Sequence, residues 1–214
     1  MTSISERIYA FYSDHSEKRA SKTLGASMID SSCERKSYHN YHNKKEVTDG
    51  RILRLFETGN SQETRLITDL NNIGLTVTKA QGKLIDQEMP DFGGIPDGYS
   101  IIDDKFIIIE IKTHNDKSYK DVVKKGVRLS KPAHFDQIQI YMGLARLTNG
   151  LYVAINKNDE SIYTESIEFD ELHFYYLRDL ASRILSKGET LKVSDSKDFF
   201  MCKMCQYRDL CHGA

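Results

Sequence analysis

Residues 94–112 read GIPDGYSIIDDKFIIIEIK, and this stretch decides the fold class. Two apolar runs meet at Asp103 and Asp104, a pair that suits the two-residue turn of a β-hairpin. Counting outward from that turn places Asp97 directly opposite Glu110, with Cβ atoms about 4.5–5.5 Å apart. Two facing carboxylates repel each other, so the pattern predicts that a cation lies between them.

Glu110 follows an unbroken apolar run, Phe106–Ile109, where an unpaired charge would be costly. A divalent metal with oxygen ligands would offset that cost. Such a metal polarises a phosphodiester and activates a water molecule. Lys112, on the same strand face, would orient that water or stabilise the charge of the transition state. The alternative is a strand that ends at Ile109 and leaves Glu110 and Lys112 as an exposed ion pair at its rim.

The remainder of the chain predicts an α/β fold built as a single domain over residues 1–214, with its core at about residues 50–187. Helix signals predict helices over 4–20, in a segment that ends at Tyr41, over 51–73, from Pro132 to Leu147 and over 170–187. Short apolar runs predict strands near 75–79, 83–87, 95–102, 105–111, 151–156 and 161–167. Residues 117–131 are expected to form a long basic loop. The predicted architecture is therefore helices around a short, mixed, largely antiparallel sheet.

Charge is balanced overall but unevenly placed. The chain carries 30 Lys and Arg against 31 Asp and Glu, a net charge of −1, so no global field attracts nucleic acids or membranes. Basic side chains concentrate in residues 17–45 and 112–131: Lys18, Arg19, Lys22, Arg35, Lys36, Lys44, Lys45, Lys112, Lys117, Lys120, Lys124, Lys125, Arg128 and Lys131. Residues 159–189 are mainly acidic. A polyanion can bind one side of such a molecule, although two solvated faces of opposite sign are the simpler interpretation.

The sequence predicts neither a membrane-spanning nor an exported protein. Apolar runs are far shorter than the ~20 residues of a membrane span, and the first residues lack the apolar core of a signal peptide. A cytoplasmic location is therefore expected, where structural disulfides are rare. Cys202, Cys205 and Cys211 form a CxxCx₅C cluster, and Cys33 stands alone far upstream. Zinc held by all four, or by three of them and His212, is one interpretation, although zinc sites more often use two local pairs.

Two motifs together resemble the PD-(D/E)xK nucleases of the RecB-like branch. Residues 96–97 (PD) and 110–112 (EIK), the latter at the end of an apolar strand, resemble the motif that gives these nucleases their name. Residues 137–141, QIQIY, match the QxxxY motif of the RecB-like branch. Its four-residue spacing places Gln137 and Tyr141 on one helix face, where two polar groups can reach one substrate.

A helical motif and the cysteines extend the resemblance along the chain. Residues 59–63, GNSQE, resemble the motif that supplies a further metal ligand. Glu63 stands where CRISPR-associated members usually have His and phage λ-exonuclease-like members have Glu. One cysteine before the core and three after it, with CxxCx₅C spacing, resemble the iron–sulfur staple of AddB and of the Cas-four-like exonucleases. Such a staple joins the segment around residue 33 to the tail, residues 200–212.

The resemblance implies a restriction-endonuclease-like core, a mixed central sheet flanked by helices, together with two kinds of metal site. A 4Fe–4S cluster is expected on Cys33, Cys202, Cys205 and Cys211. Mg²⁺ or Mn²⁺ is expected on Glu63, Asp97, Glu110 and the Ile111 carbonyl. The catalytic set implied by the same resemblance is Asp97, Glu110, Lys112, Gln137 and Tyr141.

The implied activity is that of a metal-dependent DNA exonuclease acting on single strands or DNA ends, with the basic segments along the phosphate backbone. No GxxxxGK[ST] phosphate loop occurs, so a helicase would be a separate partner, as would a recombinase or a CRISPR-adaptation protein. The expected setting is the cytoplasm of a bacterial, archaeal or phage-infected cell, and the oligomeric state stays open. The alternatives are a non-catalytic DNA-binding module with the same fold and a zinc-stapled endonuclease acting on RNA or DNA.

Overall fold

The computed structural model describes residues 2–15, 23–43 and 47–213. The helices in these ranges are α1 (Ile4–Asp14), α2 (Glu34–His42), α3 (Gly50–Asn72), α4 (Asp116–Ser130), α5 (Pro132–Ala145), α6 (Glu171–Leu185), α7 (Phe200–Lys203) and α8 (Arg208–His212), and a 3₁₀ turn covers Ala26–Met28. The strands are β1 (Leu24–Gly25), β2 (Leu84–Ile85), β3 (Phe92–Gly94), β4 (Gly98–Ile102), β5 (Lys105–His114), β6 (Asn149–Asn156) and β7 (Ile162–Glu168). The expected α/β class is confirmed.

The larger sheet has the strand order β4-β5-β6-β7. Strands β5 and β6 run parallel, whereas β4 pairs with β5 and β6 pairs with β7 in antiparallel fashion. Because parallel neighbours need a long crossover, helices α4 and α5 lie between β5 and β6 in the chain. Strands β1, β3 and β2 form a second, smaller mixed sheet. The predicted mixed sheet with flanking helices is therefore present.

Strand β5 is buried on both faces, which explains its apolar run. Ile107, Ile109 and Ile111 belong to one core cluster together with apolar side chains of α3. Ile108, on the opposite face, belongs to a second cluster that includes Ile138 of α5. A strand that is covered on both faces takes apolar residues at consecutive positions rather than in alternation. The core thus has β5 at its centre, between α3 and α5.

The hairpin turn lies where the sequence predicts it. Asp103 and Asp104 both have positive φ angles, 49° and 60°, as a type I′ turn requires. Aspartate tolerates this left-handed region better than most residues do. The β4–β5 ladder pairs Gly98 with Ile109, so the predicted register is confirmed. Asp97 is the residue immediately before β4.

The prediction of a basic loop is wrong, because residues 117–130 belong to α4, which is helical on both sides of a kink at Gly126, where φ is 74°. The Asn115 side chain accepts a hydrogen bond from the Ser118 N–H and caps the start of this helix. Val122 and Val127 are fully buried. The segment therefore has an apolar side that its many lysines obscure in the sequence.

Three predicted strands are shorter than expected. Residues 75–79 contribute a single bridge, between Thr78 and Tyr99. Residues 83–87 contribute only the two residues of β2. The run 95–102 becomes strand only at its fourth residue, since Pro96 has no N–H to donate to a ladder.

Some predictions fall outside the described residues. Helix α1 ends at Asp14, and residues 16–20, which complete the helix predicted over 4–20, lie outside the described ranges. Five of the predicted basic side chains also lie outside them: Lys18, Arg19, Lys22, Lys44 and Lys45. Within the described ranges no helix is long and apolar enough to cross a membrane.

Candidate active site

One face of the central sheet carries a row of polar side chains. Glu110, Lys112 and His114 are spaced two apart along β5 and therefore share a face. Glu110 is paired in register with Tyr152 of β6, and the hairpin register places Asp97 on its other side. Three neighbouring strands thus bring two acids and a phenol side by side at the end of an apolar run.

Glu110 is fully buried, with 0% of its surface exposed. Among the described residues neither of its oxygens accepts a hydrogen bond of regular geometry, although the Lys112 ammonium lies in ion-pair contact with Oε1. Burial raises the pKa of Glu110 to about 7, against the opposing charge of Lys112 and with a smaller contribution from Asp97. The protein alone therefore compensates this acid poorly.

Asp97 is tied to the strand that it faces. Its Oδ2 atom accepts a hydrogen bond from the Ile111 N–H at 2.7 Å. Burial raises the pKa of Asp97, although the Lys112 charge and this hydrogen bond partly oppose the shift. The bond fixes Asp97 beside the EIK motif. The role of the Ile111 carbonyl as a metal ligand stays a prediction.

Glu63 lies near the same acids, although it comes from α3. Lys79 Nζ lies 3.5 Å from Glu63 Oε1. Burial raises the pKa of Glu63, and the charge of Asp97 raises it as well. The charge of Glu63 in turn contributes to the raised pKa of Glu110. The structure therefore brings Glu63, Asp97 and Glu110 into one electrostatically coupled group.

The chemistry of this acidic group fits a hard divalent cation. It offers three carboxyl groups whose pKa values burial raises, and neither oxygen of Glu110 accepts a hydrogen bond of regular geometry from a described residue. Lys112 supplies the counter-charge: burial lowers its pKa, but the charges of Glu110 and Asp97 outweigh burial and raise it. Within the described ranges no three His, Cys, Asp or Glu side chains converge closely enough to hold an ion. Each acid has a partner of its own: Lys112 for Glu110, Lys79 for Glu63 and the Ile111 N–H for Asp97.

The QxxxY pair lies close to these acids on α5. Gln137 Nε2 donates to the Tyr141 hydroxyl at 3.1 Å, and both side chains are buried. Tyr141 packs so closely on Gly94 that a Cβ atom there would lie 2.8 Å from the ring. Burial, with the charge of Glu110, raises the pKa of Tyr141 above that of an ordinary phenol. The two residues of the motif are thus brought close to Glu110 and Asp97.

Sequence reasoning missed a hydrogen-bonded chain on the same sheet face. The Tyr152 hydroxyl lies 2.9 Å from His114 Nε2 and 2.8 Å from His134 Nδ1. His114 Nδ1 lies 2.9 Å from Ser118 Oγ. A signal is present in the sequence, because one histidine follows the motif lysine by two residues and the other precedes the QxxxY glutamine by one helical turn.

All four cysteines are free thiols, and they line one cavity of about 560 Å³. Cys33 directly precedes α2, Cys202 lies in α7, Cys205 follows that helix, and Cys211 lies in α8. The segment around residue 33 and the tail therefore meet around a common space. A bound cluster there stays a prediction.

Glu34, next to Cys33, anchors this region on α6. Its two oxygens accept hydrogen bonds from Arg183 at 2.7 and 3.0 Å. It also accepts from the Leu191 N–H and the Tyr176 hydroxyl, each at 2.9 Å. These bonds, the Arg183 bonds above all, lower the pKa of Glu34 to about 2. The buried charge is therefore fully compensated.

Comparison with known proteins bears on the fold. No protein-family model matches the chain, and no curated protein matches it. The alkaline exonuclease LHK-Exo from Laribacter hongkongensis is similar at 20% identity and a TM-score of 0.60, over 85% of this chain and 91% of that chain; its complex with dAMP gives the same values. The protein SSO0001 is similar at 20% identity and a TM-score of 0.56, over 98% of this chain and 96% of that chain. At these identities the likeness shows a shared fold.

Proposed function

We propose that the chain is a metal-dependent DNA exonuclease of the PD-(D/E)xK type. One observation carries the proposal: Glu110 is fully buried, lacks a regular hydrogen bond among the described residues, and lies beside Asp97 and Lys112. A purely structural strand gains nothing from such a group, because a buried and poorly paired carboxylate destabilises a fold. The fold shared with an alkaline exonuclease supports the same activity.

Mg²⁺ or Mn²⁺ would be held by four oxygen donors, from Glu63, Asp97, Glu110 and the Ile111 carbonyl, since hard divalent cations prefer oxygen ligands. When bound, the metal polarises the scissile phosphodiester and lowers the pKa of a water molecule. The acids then no longer need Lys112 as their counter-charge.

Lys112 contributes a positive charge to the site, because its ammonium group stays protonated although it is partly buried. Glu110 and Asp97 raise its pKa enough to outweigh the effect of burial, so the ammonium stays protonated. In the reaction it orients the attacking water or donates to a phosphate oxygen as negative charge develops there. Gln137 and Tyr141, already bonded to each other at 3.1 Å, would position the strand beside these groups.

The lysine-rich side of α4 offers a path for the phosphate backbone. A surface cavity of about 490 Å³ is lined by Lys117, Lys120, Lys124, Lys131, Asn115, Ser118 and Asp121. Clustered lysines bind DNA by neutralising phosphates, largely without regard to sequence. Helix α4 follows β5 almost directly, so this surface starts close to the EIK motif.

Single-stranded DNA or DNA ends are the substrate class that we propose, with nucleoside monophosphates as products. LHK-Exo has been crystallised with dAMP, a compound of that product class. A helicase, a recombinase or a CRISPR-adaptation protein as partner, and a cytoplasmic setting, remain part of the proposal.

A 4Fe–4S cluster on Cys33, Cys202, Cys205 and Cys211 completes the proposal. Thiolates ligate such clusters, and the four thiols line one cavity of about 560 Å³. Because no three of them converge closely enough to hold an ion as they stand, binding the cluster would draw them together. Burial raises the pKa of Cys202 and of Cys211, and neighbouring thiols contribute. A cluster would offset this by binding the thiolates, and would fasten the tail to α2 without taking part in hydrolysis.

A cleavage assay tests the proposal. Protein purified without oxygen is incubated with Mg²⁺, Mn²⁺ or EDTA and with single- or double-stranded DNA labelled at either end. We expect shortening from an end that requires the metal, with release of mononucleotides. DNA binding without cleavage would instead support the binding-module alternative. RNA cleavage by a colourless zinc protein would support the endonuclease alternative.

A further inference from the structure

Four hydrogen-bonded side chains beside the carboxylates have no role in the mechanism described so far. The chain runs from Ser118 through His114 and Tyr152 to His134, with separations of 2.9, 2.9 and 2.8 Å. Tyr152 is fully buried and is the register partner of Glu110. The chain of bonds therefore begins on α4, crosses β5 and β6 beside the acids, and ends on α5.

The series of hydrogen bonds ends at His134, where one ring nitrogen has no partner among the described residues. Its Nδ1 atom is bonded to Tyr152, but among the described residues its Nε2 atom has no hydrogen-bond partner. His134 is partly exposed, unlike its fully buried partner Tyr152. An imidazole with one nitrogen fixed and the other free is oriented for binding, because the fixed bond sets both the ring position and the tautomer.

His134 shares a helix side with the QxxxY pair and lies under the influence of two cations. Positions 134, 137 and 141 are spaced i, i+3 and i+7 along α5, which places them on one side of the helix. Burial lowers the pKa of His134 to about 3, and the charges of Lys112 and Lys131 add to that shift. The ring is therefore neutral at pH 7, and it feels the charges of two cations, Lys112 and Lys131, and of one acid, Asp30.

An anion at Nε2 fixes the direction of every bond in the chain. Nε2 must carry the proton in order to donate, so Nδ1 accepts from the Tyr152 hydroxyl. Tyr152 then accepts from the Nε2–H of His114, whose Nδ1 accepts from the Ser118 hydroxyl. Every group in the chain finds a partner in this arrangement, and none of its buried polar atoms is left unpaired.

We propose that His134 binds a non-bridging phosphate oxygen of the DNA strand through Nε2, and that Tyr152 and His114 are positioning residues that fix its orientation and tautomer. The inference rests on the proposed nuclease function and adds a phosphate contact to it. In the rival explanation these four hydrogen-bonded side chains only hold α4 and α5 on the sheet. The two explanations differ in which nitrogen of His134 matters, Nε2 for binding or Nδ1 for structure.

Two substitutions of His134 distinguish the contribution of Nε2 from that of Nδ1. His134→Gln places an amide donor near the Nε2 position, whereas His134→Asn keeps a polar group near Nδ1 and leaves nothing at Nε2. We expect His134→Asn to lower kcat/KM about 10- to 100-fold, the effect of losing one hydrogen bond to a charged group. His134→Gln should retain most of the activity. A structural role predicts the opposite order of activity, with Asn above Gln, and thermal unfolding of both variants shows whether each is folded.

DNA in which one phosphate is replaced by an uncharged linkage shows which phosphate His134 contacts. Oligonucleotides with one methylphosphonate, each at a different position near the cleaved end, are compared with wild-type protein and His134→Asn. At one linkage the two losses should be non-additive, because each change removes the same contact. Additive losses at every linkage would overturn the inference.

Tyr152→Phe tests the positioning role, with Tyr163→Phe as the matched control. Tyr163 also loses a hydroxyl bonded at 3.0 Å, to Glu165, but on β7. We expect Tyr152→Phe to lower kcat/KM well below the control at equal folded fraction. If wild-type protein does not cleave DNA, the proposed function fails. If it does, and His134→Asn, His134→Gln and Tyr152→Phe all match it, only this inference fails.

Discussion

The carboxylate site and the cysteine cavity are assembled in opposite ways. Asp97 and Glu110 occupy one hairpin, so a two-residue turn is enough to bring them together. The cysteines come from segments near the two ends of the described chain, and they meet because α2 is anchored on α6 and on the segment that leads to the tail. Local register builds the first region, and tertiary packing builds the second.

The two regions also differ in how their buried charges are treated. Burial raises the pKa of Glu110 to about 7, whereas hydrogen bonds from Arg183 lower the pKa of Glu34 to about 2. At the carboxylate site the repulsion between acids would be relieved only by a bound cation. At the cysteine cavity the charge of Glu34 is already compensated by Arg183. Single charge changes should therefore affect activity at the hairpin and stability at the cavity.

Lys112→Ala and Glu110→Gln should break the first region alone. We expect DNA cleavage to fall by at least about 10²–10³-fold, the effect of removing one group that stabilises a transition state. Lys105→Ala, at the start of the same strand and exposed, is the matched control and should retain activity. Iron content should stay at the wild-type level in all three variants. Full cleavage by both site variants would contradict the assignment.

Cys33→Ala and Cys205→Ala should break the second region, and to the same extent, because both ligands would hold one cluster. We expect the free energy of unfolding to fall by several kcal/mol and the unfolding temperature by roughly 10 °C, since each kcal/mol shifts that temperature by about 2–4 °C for a protein of this size. The measurement is anaerobic thermal unfolding with iron and sulfide analysis, and Met204→Ala, at 88% exposure, is the control.

Wild-type protein should be brown in the same experiment. Stoichiometric zinc in a colourless protein would replace the cluster with a zinc staple. Unfolding temperatures that do not differ between the cysteine variants and wild-type protein would contradict a shared metal site of either kind.

Glu34→Gln should weaken the anchor of the second region by about 1–3 kcal/mol, the effect of losing hydrogen bonds to a buried charge. The pKa of about 2 lies below the ordinary value of 4.5, so ionised Glu34 stabilises the fold above pH 4.5. That contribution is lost as the pH falls toward 2. Urea unfolding of both proteins at pH 7 and at pH 2.5–4.5 should show the difference shrinking in acid. A difference that is constant with pH would contradict the ion pair as its source.

Glu110→Gln should have the smallest effect on stability. Unlike the cysteine and Glu34 variants, it should leave the free energy of unfolding unchanged or raise it. Because burial raises the pKa of Glu110 to about 7, its ionised form destabilises the metal-free fold at pH 8. The variant should therefore unfold at the same urea concentration as wild-type protein in EDTA, or at a higher one. A clear loss of stability would show that Glu110 is a structural partner of Lys112 rather than a group awaiting a ligand.

The hairpin could be predicted because its register depends on local residues alone. Two aspartates that tolerate positive φ, between two apolar runs, are enough to fix which residues face each other. Helix α4 could not be predicted from its lysines, because Val122 and Val127 contact the core while the charged residues dominate the local composition.

The remaining contacts depend on packing that sequence patterns do not encode. Tyr152 looks like an ordinary core residue in an apolar strand, and only the packing of α5 brings His134 to its hydroxyl. The approach of Cys33 to the tail likewise requires α2 and α6 to be in place. Spacing along the chain groups only Cys202, Cys205 and Cys211, and the resemblance to a nuclease family is what predicts that Cys33 joins them.

The central claim is that the hairpin acids hold a divalent metal, and Mn²⁺ binding tests it most directly. Metal-free protein is titrated with Mn²⁺, and the free ion is followed by electron paramagnetic resonance. Wild-type protein and Cys33→Ala should remove Mn²⁺ stoichiometrically, whereas Asp97→Asn and Glu110→Gln should not. Equal binding by the acid variants and wild-type protein, or no binding by wild-type protein, would contradict the account.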